Sequence, residues 1–311
     1  MHRLLLIGIV GLGAAVWLGL APPSFVGGVE VSSDTTAVVV VMEPEVTWRP
    51  AAPGEGSLFR VRVTASEHTP VLGVHGTVAD EELHFERVSE REFESLAAMP
   101  VGAEDAVTAR IRAVYALGGE GHLESRIPMT AGSYAHEELR VAPRFGSPLN
   151  DADRARLDRD RERSREASAR AHRTPRLWGS HAIMPRDSRV TSGFGDGRIF
   201  NGQVSSRHMG LDLRGFQGDT VVAAARGIVE VVAPFLLAGN VVYLNHGGGV
   251  VSGYFHLSRQ LVAEGDTVEA GDPVGLVGAT GRVTGPHLHW VVRYGNVSVD
   301  PRSLLEVADT P

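Results

Sequence analysis

Gly285-Pro286-His287-Leu288-His289-Trp290, running on through Val291, Val292 and Tyr294, is the stretch from which the rest of the chain can be read. Apolar residues alternate there with ring and polar groups, the pattern of a short strand. Side chains two apart on a strand point the same way, so His287 and His289 face one site. If one of them binds a metal, the other stands within proton-transfer distance. Upstream lies His208-Met209-Gly210-Leu211-Asp212, and between the two stretches His256 sits in Gly253-Tyr254-Phe255-His256-Leu257. His208 and Asp212 have helical spacing, but Gly210 between them argues against a helix. A bent or strand-like segment still aims both side chains inward.

Three side chains of this set can close on one divalent metal, leaving two imidazoles to move protons. A His, Asp, His triplet leaves the fourth position of a tetrahedral zinc free for water, with bonds of about 2.0–2.2 Å. Zinc lowers the pKa of such a water to roughly 7. This is the equipment of a zinc hydrolase. Other chemistries lack their residues: there is no Gly-x-Ser-x-Gly elbow, no phosphate loop and no cysteine.

The same residues, in this order and spacing, resemble the signature of the lysostaphin-type zinc endopeptidases, also called LytM-domain peptidases. The flanks agree: Thr191-Ser192-Gly193-Phe194-Gly195, Asn201-Gly202, Gly247-Gly248-Gly249, Val277-Gly278-Ala279-Thr280-Gly281 and Val299-Asp300-Pro301. The resemblance covers roughly residues 175–305. It implies one zinc per chain, held by His208, Asp212 and His289, with His256 and His287 as the catalytic pair. It also implies hydrolysis of peptide bonds in bacterial peptidoglycan, on a compact antiparallel sheet whose concave face carries the metal and a narrow groove. Some members place a Tyr just ahead of the first zinc histidine as an oxyanion donor. Here Gln203-Val204-Ser205-Ser206-Arg207 has none, leaving Arg207, Asn201 or a catalytic imidazole for that role. A non-enzymatic module that binds peptidoglycan or regulates other hydrolases is the alternative reading; the intact ligand set argues against it. A second alternative is a zinc peptidase acting on Gly-rich proteins outside the wall.

The remaining histidines read as structural. His68, His75, His84, His122, His136, His172 and His181 lie outside the motifs, and His246 precedes a glycine run and serves a turn. His136-Glu137-Glu138-Leu139-Arg140 fails as a His-Glu-x-x-His zinc helix because Arg140 stands where the second histidine belongs.

The thirteen histidines sit in a chain of 311 residues with a formal charge of −7, whose thirty basic residues are all arginine. Residues 35–142 carry a balance of −8 and residues 174–311 one of −1. Neither offers the basic face that nucleic acid needs. Met1-His2-Arg3 and the uncharged run from Leu4 to Ala21 read as a signal peptide or membrane anchor. Pro22 and Pro23 disfavour cleavage after Gly19-Leu20-Ala21, so an uncleaved anchor is the preferred form. The expected location is the cell envelope, periplasmic or otherwise extracytoplasmic, with membrane contact only through this segment and with peptidoglycan peptides as partner.

The expected fold is mostly β. Residues 35–142, with period-two runs at Leu58–Val63 and Thr108–Tyr115, suggest an immunoglobulin-like sandwich without visible chemistry. Residues 143–173 read as a charged helical linker, capped near Asn150 and lacking an apolar stripe, hence solvated. Residues 174–311 form the peptidase-like domain, with strands at Thr220–Ala225, Gly227–Val232, Asn240–Leu244 and Val250–Phe255. Val268-Glu269-Ala270-Gly271-Asp272-Pro273-Val274 looks like a hairpin.

Overall fold

A computed structural model describes residues 4–6 and 40–309. Leu4–Leu6 pair antiparallel with Val40–Met42; the rest of the segment read as a signal or anchor lies outside the described residues. Among the described residues no helix is long and apolar enough to cross a membrane.

The fold is mostly β. In the N-terminal region two four-stranded antiparallel sheets share one core. The first orders Glu45–Arg49, Leu58–Thr64, Glu92–Ala98 and Glu86–Arg87; the second orders Glu120–Pro128, Ala106–Tyr115, Val71–Val78 and Glu81–Glu82. The alternation that predicted these strands has a physical reason. Phe59, Val61 and Val63 from one sheet and Ala109, Ile111, Ala113 and Tyr115 from the other are all nearly or fully buried, while Arg60, Arg62, Arg110 and Arg112 between them point to the opposite faces, away from this core.

The C-terminal domain is built on one large antiparallel sheet. Its strands run in the order Val190–Ser192, Leu211–Arg214, His287–Tyr294, Val250–Leu257, Gly239–Gly247, Gly227–Phe235 and Thr267–Val268. Val297–Val299 adds to His287–Tyr294. The expected hairpin at 268–274 does not form. Thr267–Val268 pairs with Gly227–Ile228, whereas Pro273–Leu276 pairs with Thr220–Val222 and with Arg259–Gln260 in a separate small sheet. The turn at Glu269–Asp272 exists, but it switches the chain between sheets instead of folding it back on one.

The helix Asp151–Arg173 begins where expected, with Asn150 Oδ1 accepting from Asp153 N at 2.8 Å. Its solvated character is not as expected. Ser164, Ala167, Ser168 and Ala171 form a buried stripe, and the two alanines pack against Val231, Ala233, Val241, Tyr243 and Val251 on the back of the large sheet. A stripe of Ala and Ser carries little hydrophobic signal in a sequence, yet it lets the helix backbone approach the sheet closely.

The N-terminal sheets also dock firmly. Leu58, Leu96 and Ala98 belong to the same apolar cluster as the C-terminal core. Leu58 N donates to Ser303 Oγ at 3.0 Å and Arg60 Nη2 to Val307 O at 2.5 Å, so the short helix Arg302–Asp309 lies along the strand Leu58–Thr64. At a second junction Glu81 Oε2 meets His172 Nε2 at 3.0 Å, His172 Nδ1 meets His84 Nε2 at 2.7 Å, and the Tyr294 hydroxyl donates to Glu82 O at 2.8 Å.

The buried helix stripe yields a test. Ala171→Leu inserts three heavy atoms where no room exists and should destabilise the chain by about 1–3 kcal/mol, read by chemical denaturation. A solvated linker helix would instead tolerate leucine within about 0.5 kcal/mol.

Candidate metal centre

Strand register builds the centre. Leu211–Arg214 pairs antiparallel with His287–Tyr294 so that Asp212 lies directly opposite His289, and His289 in turn lies opposite Phe255 on the next strand. Directly opposed side chains on one sheet face lie close enough to touch. His208 enters from the bend before Leu211, where Gly210 is required by close approach. A Cβ at Gly210 would stand 2.6 Å from Trp290 O and 2.7 Å from His289 Cε1.

His208 Nε2, Asp212 Oδ1 and His289 Nδ1 converge. The separations are 3.1 Å from His208 to Asp212, 2.9 Å between the imidazoles and 2.7 Å from His289 to Asp212. These three form a group whose ligand atoms all lie within 4.8 Å of one another, a size that fits one metal ion. Their surroundings suit ligation. His208 Nδ1 bonds Gly193 O at 2.5 Å, which fixes the ring with Nε2 turned toward the other two groups. Burial opposes the charge of Asp212, but hydrogen bonds from His208, His287 and His289 hold its carboxyl well below the usual range. Burial pushes the His289 pKa down to about 4 despite Asp212 beside it, so this ring is neutral at pH 7 and able to ligate.

His287 and His256 complete the five. His287 shares the sheet face of His289, and its Nε2 lies 3.5 Å from Asp212 Oδ1 while Nδ1 bonds Gly285 O at 2.9 Å. Burial lowers its pKa, but the hydrogen bond and charge of Asp212 outweigh that and raise it. The rings of His256 and His287 are 5.0 Å apart. His256 Nδ1 bonds Thr280 O at 2.8 Å. Burial, followed by the nearby His287 and His289, drives the His256 pKa well below its ordinary value. His256 adopts a φ of 61°, a left-handed conformation that is costly for a non-glycine residue. The pairing of Val250–Leu257 with Gly239–Gly247 shifts register at this point. Strict alternation would carry His256 to the face of the buried Tyr254, and the left-handed turn re-aims it toward His287.

Arg198 and Glu137, which the sequence did not assign to the site, lie beside the centre together with Ser192 of the 191–195 flank. Arg198 Nη2 donates to Asp212 Oδ2 at 2.5 Å and to Ser192 Oγ at 2.7 Å, so one carboxylate oxygen faces the histidines and the other faces a guanidinium. Glu137 Oε2 accepts from Arg198 Nε at 3.1 Å and from Ser192 Oγ at 3.0 Å. Glu137 lies in residues 35–142, the region read as without visible chemistry, and reaches the edge of the site. It belongs to His136–Leu139, which pairs in parallel with Gly197–Phe200 at the edge of the site. The only sequence hint was the incomplete His136-Glu137-Glu138 motif, on a strand and not on a helix. Of the oxyanion candidates, Asn201 is committed elsewhere, its amide bonding Val141 N and Val141 O at 3.0 and 3.1 Å. Arg207 lines the groove, with Nη1 donating to Gly195 O at 3.0 Å.

His246, outside the centre, is fully buried beneath the sheet. Nδ1 bonds Arg226 O at 2.8 Å, and Nε2 lies 2.7 Å from Ser252 Oγ, which lies 3.0 Å from the Tyr254 hydroxyl. Its role is a buried hydrogen-bond network and not only a turn.

Residues 206–301 match the model for peptidase family M23. The peptidoglycan DD-endopeptidase ShyC of Vibrio cholerae serotype O1 is 37% identical over 118 residues, which make up 37% of this chain and 27% of that protein. The DD-carboxypeptidase/endopeptidase Mpg of Neisseria meningitidis serogroup B is 41% identical over 97 residues, 31% of this chain and 22% of that protein. The chain thus spans about a quarter of the length of these curated relatives. The crystal structure of a candidate peptidase M23 from Pseudomonas aeruginosa superposes with a TM-score of 0.62 at 24% identity, covering 81% of this chain and 95% of that one. That likeness is one of fold, and it reaches beyond the C-terminal domain.

Burial lowers the His246 pKa from 6.5 to about 4. The unfolded chain therefore takes up a proton first as pH falls. The stability contributed by neutral His246 is complete above about pH 6.5 and is lost toward pH 4, with a difference of about 2 kcal/mol between pH 7 and pH 5. Urea denaturation of chelator-treated protein at both pH values should show this slope reduced by that amount in His246→Asn. An equal slope in the two proteins would mean that His246 does not titrate with unfolding.

Proposed function

From the match of residues 206–301 to the model for peptidase family M23, we propose that the C-terminal domain is a peptidase of that family and that the protein is a zinc-dependent endopeptidase cutting peptide bonds of bacterial cell-wall peptidoglycan. The observation that carries the reading is the triangle of His208, Asp212 and His289, with two further imidazoles at its edge. The donor set of two imidazoles and one carboxylate is that of a catalytic zinc site with an open position. In this reading His208 Nε2, Asp212 Oδ1 and His289 Nδ1 hold one zinc per chain. Zinc bound there supplies a Lewis acid that polarises both water and the scissile carbonyl.

The remaining steps fall to the chain's own groups. His256 and His287 donate through Nδ1 to Thr280 O and Gly285 O, so each presents Nε2 to the cleft. They position the attacking water, accept its proton and deliver it to the leaving amine as the C–N bond breaks. Arg198 neutralises the outer oxygen of Asp212 and keeps the inner oxygen turned toward the histidines. Arg207, on the groove wall, is placed to meet developing negative charge. Cleavage of amides and not of glycosidic bonds follows from the groups present. Glycoside hydrolysis normally needs two free carboxylates across the bond, whereas here Asp212 and Glu137 are both engaged by Arg198. Such an enzyme works in the cell envelope, and the peptidase reading is compatible with an N-terminal signal or anchor. In this proposal residues 35–142, 143–173 and 174–311 act as the docked sheet domain, the helical connection and the peptidase domain, with Glu137 lent across the first boundary.

Metal analysis of the purified chain should find one zinc, lost in His289→Ala. His256→Ala and His287→Ala should keep the metal yet lose about 10²–10⁴-fold in activity. Full zinc occupancy in His289→Ala would overturn the ligand assignment. Separately, digestion of purified sacculi should release new amino groups and no new reducing ends; zinc-dependent release of reducing sugar without amines would overturn the choice of bond.

A further inference from the structure

The groove that flanks the centre is positively charged, although the chain as a whole carries −7. Arg198, Arg207, Arg282 and Arg293 line it on one side of His256, and Arg198, Arg214 and Arg282 on the other. The carboxylates that line it are Asp212 and Glu137, and both are held by Arg198. Most of the other cations have engaged heads. Arg207 donates to Gly195 O, Arg293 bonds Ser164 Oγ and Asn296 O, and Arg214 lies over the ring of Phe216.

Arg282 differs. Its guanidinium stacks on the buried Phe200 ring at 3.9 Å, and among the described residues no carboxylate or carbonyl accepts a hydrogen bond from it. Burial and then the charge of Arg198 lower its pKa to about 10, so it stays charged at neutral pH in a position that disfavours charge. A half-buried cation without a counter-ion is unfavourable in the free protein and becomes favourable when an anion fills the site. Arg282 borders both halves of the groove beside His256 and stands five residues before His287. An anion on it would therefore lie next to the reacting amide.

We propose that Arg282 is a specificity-determining residue that grips a free carboxylate of the substrate peptide beside the scissile amide. The enzyme then selects acidic peptides and discriminates against neutral ones such as oligoglycine. This rests on the peptidase reading above and adds to it the charge of the preferred substrate. The planar guanidinium suits a bidentate carboxylate, and stacking on Phe200 fixes its plane in advance.

The test uses two synthetic cross-linked peptides, identical except that the carboxylate next to the scissile amide is free in one and a primary carboxamide in the other. Cleavage by the zinc-loaded full chain should favour the free carboxylate by about 10–100-fold in kcat/KM, the range of a charge-assisted bond. Calorimetric binding of both peptides to the metal-free chain should show the same preference without any turnover. In Arg282→Gln the ratio should collapse toward one, and in Arg282→Lys it should be partly retained. Equal handling of the two peptides by the wild type, or a preference that survives Arg282→Gln, overturns the proposal. Should neither peptide nor sacculi be cut, the peptidase reading fails, while the binding preference on the metal-free chain still decides the role of Arg282.

Discussion

The site depends on one register. Because Leu211–Arg214 meets His287–Tyr294 with Asp212 opposite His289, a carboxylate and an imidazole converge without any loop having to hold them there. A slip of one residue would turn every side chain of the strand to the other face and dissolve the group. Several less favourable features serve this register. Gly210 gives up a side chain so that the backbone bearing His208 can reach His289. His256 accepts a left-handed backbone to point at His287. The inner oxygen of Asp212 sees three imidazoles while the outer one is neutralised by Arg198, so a buried carboxylate is satisfied on both sides. Rigidity here comes from strand pairing, and of the five grouped residues only His256 takes up a left-handed backbone.

The centre was legible in the sequence because its geometry is local or periodic. His287 and His289 share a face by the two-residue repeat of a strand, and Gly210 rules out a helix between His208 and Asp212. What was not legible depends on distant partners. Glu137 reaches Arg198 across 61 residues of sequence and belongs to no completed motif. The buried face of Asp151–Arg173 is made of Ser and Ala, which hydrophobic periodicity does not register although they pack at zero exposure at Ala167 and Ala171. The 268–274 segment carries sound turn residues, but its two strands find better partners in different sheets. Local chemistry fixed that turn, and tertiary pairing decided what it connects. In the N-terminal region the strands at Leu58–Val63 and Thr108–Tyr115 were legible from alternation, and the core shared by the two sheets explains that alternation.

The docking of Arg302–Asp309 along Leu58–Thr64 bears on how the molecule is assembled. Leu58 and Ser303 are joined by a hydrogen bond across 245 residues, and Arg60 reaches Val307 across 247. At ribosomal speeds, the interval between synthesis of these partners is on the order of 10–50 s. Throughout that time the face of Leu58, Leu96 and Ala98 lacks the helix Arg302–Asp309 as a partner. Closing so long a loop is entropically costly and slow, so the sheets made first are the ones completed last. The groove beside the candidate centre takes lining residues as late as Arg293 and Ser298, so it gains its final form only well after the N-terminal sheets have been made.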